Sequence, residues 1–237
     1  MSRASSRIAG SSIHRFAALA LAALALGASQ EPKGDPAAKP GEIALFDGKS
    51  LDGWKVTPFA RSGEVVVEDG AIVMKEGRPM TGITSTRADL PKIDYELSYE
   101  AQRLTGRDFF AAATFPVGDA FLTLVNGGWG GSVTGLSSLD GADASENDSS
   151  TSYTYKDKTW YRFRIHVTAA SVRAWVDDKK LVDARVAGRH LGTRIEVRAS
   201  QPLGFATWET GGAVRAIRIR QLTEAEIRDA SAEREEP

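Results

Sequence analysis

Between residues 100 and 148, and again near residue 208, the chain carries side chains that could act together on a polar ring. Glu100 and Asp108 are carboxylates of the kind that serve as general acid or base. The stretch "GGWGGSVTGLSSLDGADASEND", residues 127–148, adds Glu146 as a third candidate for that work. The Trp129 ring stands among glycines at 127, 128, 130 and 131, which let a backbone come close to a ligand, and its face suits the apolar side of a sugar. Trp208, in "FATWET", offers a second such face, and the amides of Asn126 and Asn147 can bond hydroxyl groups. Asp140 and Asp143 supply hard oxygen ligands, for which a divalent metal such as calcium is the fitting cofactor.

Spacing removes several chemistries. Glu96 and Glu100 share one face of an alternating strand, and four residues of strand separate their backbones by roughly 13–14 Å. The two carboxylates of a glycosidase lie about 5–5.5 Å or 6.5–9.5 Å apart, so these two are not a catalytic pair with each other. The E-x-D-x-x-E strand signature of laminarinase-like glucanases is absent. In the acidic loop glycine follows Asp140 directly, whereas a calcium-binding EF-hand needs it at the sixth position. No lysine follows the glycines, which removes phosphate-loop binding, and no G-x-S-x-G elbow supports serine hydrolysis. His166 and His190, the histidines beyond the N-terminal segment, are too far apart in sequence to signal a zinc centre.

Each candidate also has a structural alternative. Glu100 could pair across the sheet with Arg162 or Arg164, Asp108 could initiate the turn after Thr105-Gly106, and Trp129 and Trp208 could belong to the core. Asp140 to Asp148 could be a solvated acidic loop.

The elements that must position these residues are strands. "GEVVVEDGAIVMKE" places Asp69-Gly70 between two apolar runs, a strong hairpin signal. "IDYELSYEAQRL" alternates throughout, and "DFFAAATF", "AFLTLV", "TWYRFRIHVT", "SVRAWVD", "KLVDARV", "LGFATW" and "AVRAIRIRQL" supply further strands between turn residues. Thr223 and Glu226 form a capping box, which predicts a short helix within the tail 223–237. The pattern predicts an all-β fold, a two-sheet antiparallel jelly-roll sandwich over residues 43–222.

The N-terminus has the layout of a secretory signal peptide over residues 1–29. Arg3, Arg7 and Arg15 precede the apolar run "FAALALAALALG", and small residues follow it. That run is too short for a spanning helix, which needs about 20 residues. The mature chain is therefore expected to carry no transmembrane segment and to be exported to a periplasm, envelope or the extracellular space. Residues 30–42, with Pro32, Pro36 and Pro40, read as a flexible tether. Loss of the leader removes three of the 30 basic residues and none of the 31 acidic ones, which disfavours nucleic acid as a partner. With no cysteine in the 237 residues, packing must stabilise the fold without disulfides.

The blocks "ALFDGKSLDGWKV", "VEDGAIVM", "DYELSYEAQRL", "WYRFRIHVTAASVRAWVDDKKLVD" and "AVRAIRIRQL" resemble those of the 3-keto-disaccharide hydrolase family, over about Ile43 to Leu222. The resemblance implies a concanavalin-A-like lectin/glucanase fold and a carbohydrate partner, with hydrolase or lyase action on 3-keto-glycosides or related sugars. In such a substrate the C3 ketone acidifies the C2 hydrogen. A base removes it, donors hold the enolate oxygen, an acid protonates the departing oxygen, and a metal on the ketone would assist. The other function compatible with these residues is a non-catalytic carbohydrate-binding jelly roll with Trp129 and Trp208 as platforms. Acids gathered in one concave pocket favour the enzyme; an aromatic face with scattered acids favours the binder.

Overall fold

The computed structural model describes residues 39–232; the expected leader and most of the expected tether lie outside the described residues. Its strands, numbered in chain order, form two antiparallel sheets.

The first sheet runs β13 (Lys179–Arg185), β12 (Ser171–Val176), β11 (Tyr161–Val167), β6 (Tyr95–Gly106), β15 (Thr210–Gln221), β4 (Ala71–Met74), β3 (Val65–Glu68), with β1 (Ile43–Ala44) also on β15. The second runs β10 (Thr151–Ser152), β9 (Val133–Ser137), β8 (Ala120–Gly127), β7 (Ala112–Val117), β14 (Gly204–Trp208), β5 (Met80–Ser85), β2 (Trp54–Val56). The predicted hairpin is the β3–β4 pair. Its Asp69 and Gly70 both have positive φ, 49° and 74°, as a two-residue hairpin turn requires.

Alternation decides which side chains meet. Along β6, Tyr95, Leu97, Tyr99 and Ala101 are buried in the core while Ser98 and Glu100 point outward. Phe115, Leu122, Leu124 and Phe205 of the second sheet join the same core. Tyr99 stacks on Phe163 of its own sheet at 5.0 Å and meets Phe205 of the other edge-on at 4.8 Å. Truncating such a ring costs roughly 3–5 kcal/mol, and here no disulfide offsets the loss.

The predicted terminal helix is present as Glu224–Ala232. Its capping box is formed: Glu226 N–H donates to Thr223 Oγ1 at 3.3 Å and Thr223 N–H to Glu226 Oε2 at 2.8 Å. Two short pieces have no periodic signal in the sequence, a tight turn at Gly128–Gly131 and a 3-10 turn at Ile195–Ser200. Both lie where the second sheet's outer face becomes a cleft. No described helix is long and apolar enough to cross a membrane.

Candidate functional site

A cleft of about 230 Å³ opens on the outer face of the second sheet. Its floor comes from strand positions that alternate with core residues: Ala112 of β7, Thr123 and Val125 of β8, and Ser137 of β9. Asp108 and Phe109, between β6 and β7, Trp129, in the turn after β8, and Trp208, at the end of β14, form an aromatic wall; Arg194, Glu196 and Val197 of the 3-10 region form a second. Val197 is anchored against Met80 and Ala206, which fixes that wall on the sheet.

Trp129 reaches the cleft through an uncommon backbone. It sits at φ 50°, ψ 52°, the left-handed region that bulky side chains avoid at a cost of about 1–2 kcal/mol. Asp108 holds it there. The Asp108 Oδ2 accepts from Gly130 N–H at 3.2 Å and its Oδ1 from Phe109 N–H at 2.8 Å, while Asp108 N–H donates to Thr210 Oγ1 at 3.0 Å. The ring that results is 44% exposed, so it is not part of the core. Trp208, half-buried, leans on Phe109 with centroids 6.3 Å apart.

The second wall is ionic. Arg194 donates to both oxygens of Glu196, at 3.2 and 3.0 Å, and also to Asp143. These hydrogen bonds hold the Glu196 carboxyl below its ordinary pKa, so it stays ionised beside the guanidinium.

The structure therefore brings Asp108, Trp129 and Trp208 together and puts Asp143 one step behind the cleft, on Arg194. The other candidates lie elsewhere. Glu100 is on the outer face of the first sheet, bound to Arg215 at 2.8 Å. Asn126 alternates with the cleft floor and is fully buried on the core side. Glu146 is exposed and does not line the cleft. Asn147 is spent within its own loop, donating to the carbonyls of Leu136, Ala142 and Asp143.

The expected metal loop is also accounted for by arginines. Asp140 accepts from Arg189 Nε at 2.7 Å and from His190 N–H at 2.8 Å, Asp148 takes another nitrogen of Arg189, and Asp143 takes Arg194. These carboxylates face cations of the protein's own and do not converge on a point, so the loop does not fit a calcium site. Among the described residues the group of acids and histidine close enough to share a metal is Glu96 and His166 of the first sheet with Glu226 of the terminal helix. There Arg220 Nη2 already bridges Glu96 at 2.7 Å and Glu226 at 2.6 Å.

Phe109, Arg194 and Glu196 were not picked out from sequence. "RIE" carries no periodicity or motif, and only the return of the chain across the second sheet makes it a wall.

No curated protein matches the sequence. Among solved structures, the chain is similar to a Crh5 transglycosylase in complex with NAG: 13% identity, TM-score 0.54, covering 77% of this chain and 85% of that one. It is also similar to the carbohydrate binding module CBM66 from Bacillus subtilis, with 11% identity, TM-score 0.49 and coverage of 71% and 96%. Domain 4 of AbnA, a GH43 extracellular arabinanase from Geobacillus stearothermophilus solved with arabinotriose, has 15% identity, TM-score 0.49 and coverage of 80% and 96%. At such identity the transglycosylase likeness speaks for the fold alone, a β-sandwich of the type found in carbohydrate-active proteins. The model of the 3-keto-alpha-glucoside-1,2-lyase-like domain matches residues 41–220, and the chain belongs to that family.

Proposed function

We propose that this chain, exported by its N-terminal leader, binds a carbohydrate in the cleft of the second sheet. The observation that carries the reading is the convergence of Trp129, Trp208 and Phe109 on one cleft that Arg194 and Glu196 also line. Aromatic faces take the apolar side of a sugar ring, and charged groups take its hydroxyls. A volume of about 230 Å³ lies below the usual range for drug-sized ligands and suits a single ring.

A second reading, elimination from a 3-keto-glycoside, is favoured by the family and by the Glu196–Arg194 pair. Glu196, held ionised, would take the C2 proton, and Arg194 would hold the enolate oxygen as the C1–O bond breaks. The departing oxygen needs a proton. Both carboxyl oxygens of Asp108 are engaged by backbone, accepting from Phe109 N–H and Gly130 N–H, so water is the donor this cleft leaves for that step.

Incubation with a panel of 3-keto-glycosides and their unoxidised parents, followed by calorimetry and product analysis, separates the readings. Binding to either set without product, weakened in Trp129→Ala, supports the binder. Product from the keto sugars that is lost in Glu196→Gln supports the lyase. No binding and no product from any member overturns both.

A further inference from the structure

The outer face of the first sheet carries a charge pattern with one position missing. Three rows of residues lie side by side across β11, β6 and β15. In the first, His166, Glu96 and Arg220 are in register; in the third, Arg162, Glu100 and Arg215. Each has a central glutamate with a basic residue on either side, and each glutamate is engaged: Glu96 by His166 at 2.7 Å and Arg220 at 2.7 Å, Glu100 by Arg215 at 2.8 Å. The middle row reads Arg164, Ser98, Arg218. It has the two flanking cations and, in the centre, a short hydroxyl where its neighbours have a carboxylate.

A cavity of about 170 Å³ lies over this position, lined by Ser98, Arg164 and Arg218 together with Glu96, Glu100 and Lys39. The register of β15 shifts between Arg215 and Arg218, with Ala216 at φ 50°, an irregularity of the kind that bends a strand. Arg218 has Glu42 at 3.7 Å. Arg164 is held differently. Its guanidinium lies 4.6 Å from the centre of the Trp175 ring, and among the described residues it has no carboxylate partner, its buried Nε included. A stacked guanidinium with unused donors is preorganised for a planar oxyanion. Of the acids that line the cavity, Glu96 is matched by Arg220 and Lys39, Glu100 by Arg215, Asp178 by Arg162 and Glu42 by Arg218, while Asp177 accepts from the Arg162 backbone N–H.

We propose that this cavity binds the carboxylate of a small organic acid, a uronic acid being of suitable size, which completes the middle row between Arg164 and Arg218. The Ser98 hydroxyl donates a further hydrogen bond. The site is separate from the aromatic cleft, which lies on the other sheet, and it stands or falls independently of the sugar reading.

Calorimetric titration of the full chain with glucuronate, glucose and inorganic phosphate, at constant ionic strength, tests it. The expected result is binding of glucuronate that persists in Trp129→Ala, weakens at least tenfold in Arg164→Gln, and vanishes in Ser98→Glu, where the protein supplies its own carboxylate. Ser98→Glu should also raise the melting temperature in the absence of ligand. If Ser98→Glu does not fold, Arg164→Gln decides alone. The proposal is overturned if glucuronate does not bind, if Arg164→Gln binds it as wild type does, if Trp129→Ala abolishes binding, or if phosphate binds as tightly as glucuronate.

Discussion

The two outer faces of the sandwich use similar residues to opposite ends. On the first sheet, charges from neighbouring strands satisfy one another in register, and Glu96, with 1% exposure, is buried under His166, Lys39 and Arg220. On the second, the charges withdraw to loops and leave aromatic rings beside an open floor. A charged residue in a strand row has partners fixed by the register and becomes part of the framework. One on a loop can be held by a single arginine and still line an open cleft, as Glu196 does.

Substitutions with matched chemistry on the two faces should separate framework from site. The largest effect is expected from Glu96→Ala, which leaves Lys39 and His166 without their carboxylate and deprives Arg220 of one of two. Loss of about 3 kcal/mol in urea unfolding is expected, whereas Glu196→Gln on the other face should leave the midpoint nearly unchanged. An equal loss in both variants would erase the distinction.

Acid should act on the same framework. Burial raises the Glu96 carboxyl, but hydrogen bonds from His166, Lys39 and Arg220 together outweigh it and hold the pKa at about 2; the bond from Arg220 chiefly holds Glu226 at about 2 as well. Both are depressed in the folded state, so their stabilisation is complete above the ordinary carboxylate pKa, about 4.3 for glutamate, and is lost as pH falls toward 2. Melting temperature measured from pH 5.5 to 2 should fall across that window, and less steeply in Glu226→Gln. A variant that follows the wild-type curve would remove Glu226 from the account.

Trp129→Gly should weaken sugar binding about tenfold, or 1.4 kcal/mol, while the melting temperature holds or rises because the left-handed backbone is relieved. A fall in melting temperature instead would give the ring a packing role. Asp108→Ala should weaken binding by a smaller factor, about three- to fivefold, through a loosened turn rather than a lost contact; calorimetry beside a tryptophan fluorescence spectrum would detect both. The smallest effect is expected from Glu146→Gln, which should change neither affinity nor stability.

The fold was legible because a period of two survives any detail of packing: the β6 alternation alone separates Tyr95, Leu97 and Tyr99 from Ser98 and Glu100. Trp129 and Trp208 were legible as rings beside turn residues. Of the acids Asp108 was, at the mouth of its strand; Glu100, Asp140 and Asp143 were not, because their fates depend on arginines distant in sequence. Arg189 meets Asp140 and Asp148, Arg194 meets Asp143, and Arg215 meets Glu100. Composition shows an acidic loop; only the fold shows that its charges are already answered. Asn126 was misleading for a simpler reason, since one step along β8 moves a residue from the cleft floor to the interior.

The left-handed backbone at Trp129 makes the position a marker that can be read in other sequences. Where a ring is no longer used, nothing repays an indole for occupying a conformation that glycine or asparagine adopts freely. A relative that has abandoned the aromatic wall is therefore expected to carry Gly or Asn here, and one that keeps a bulky ring declares by that single letter that the wall is still in use.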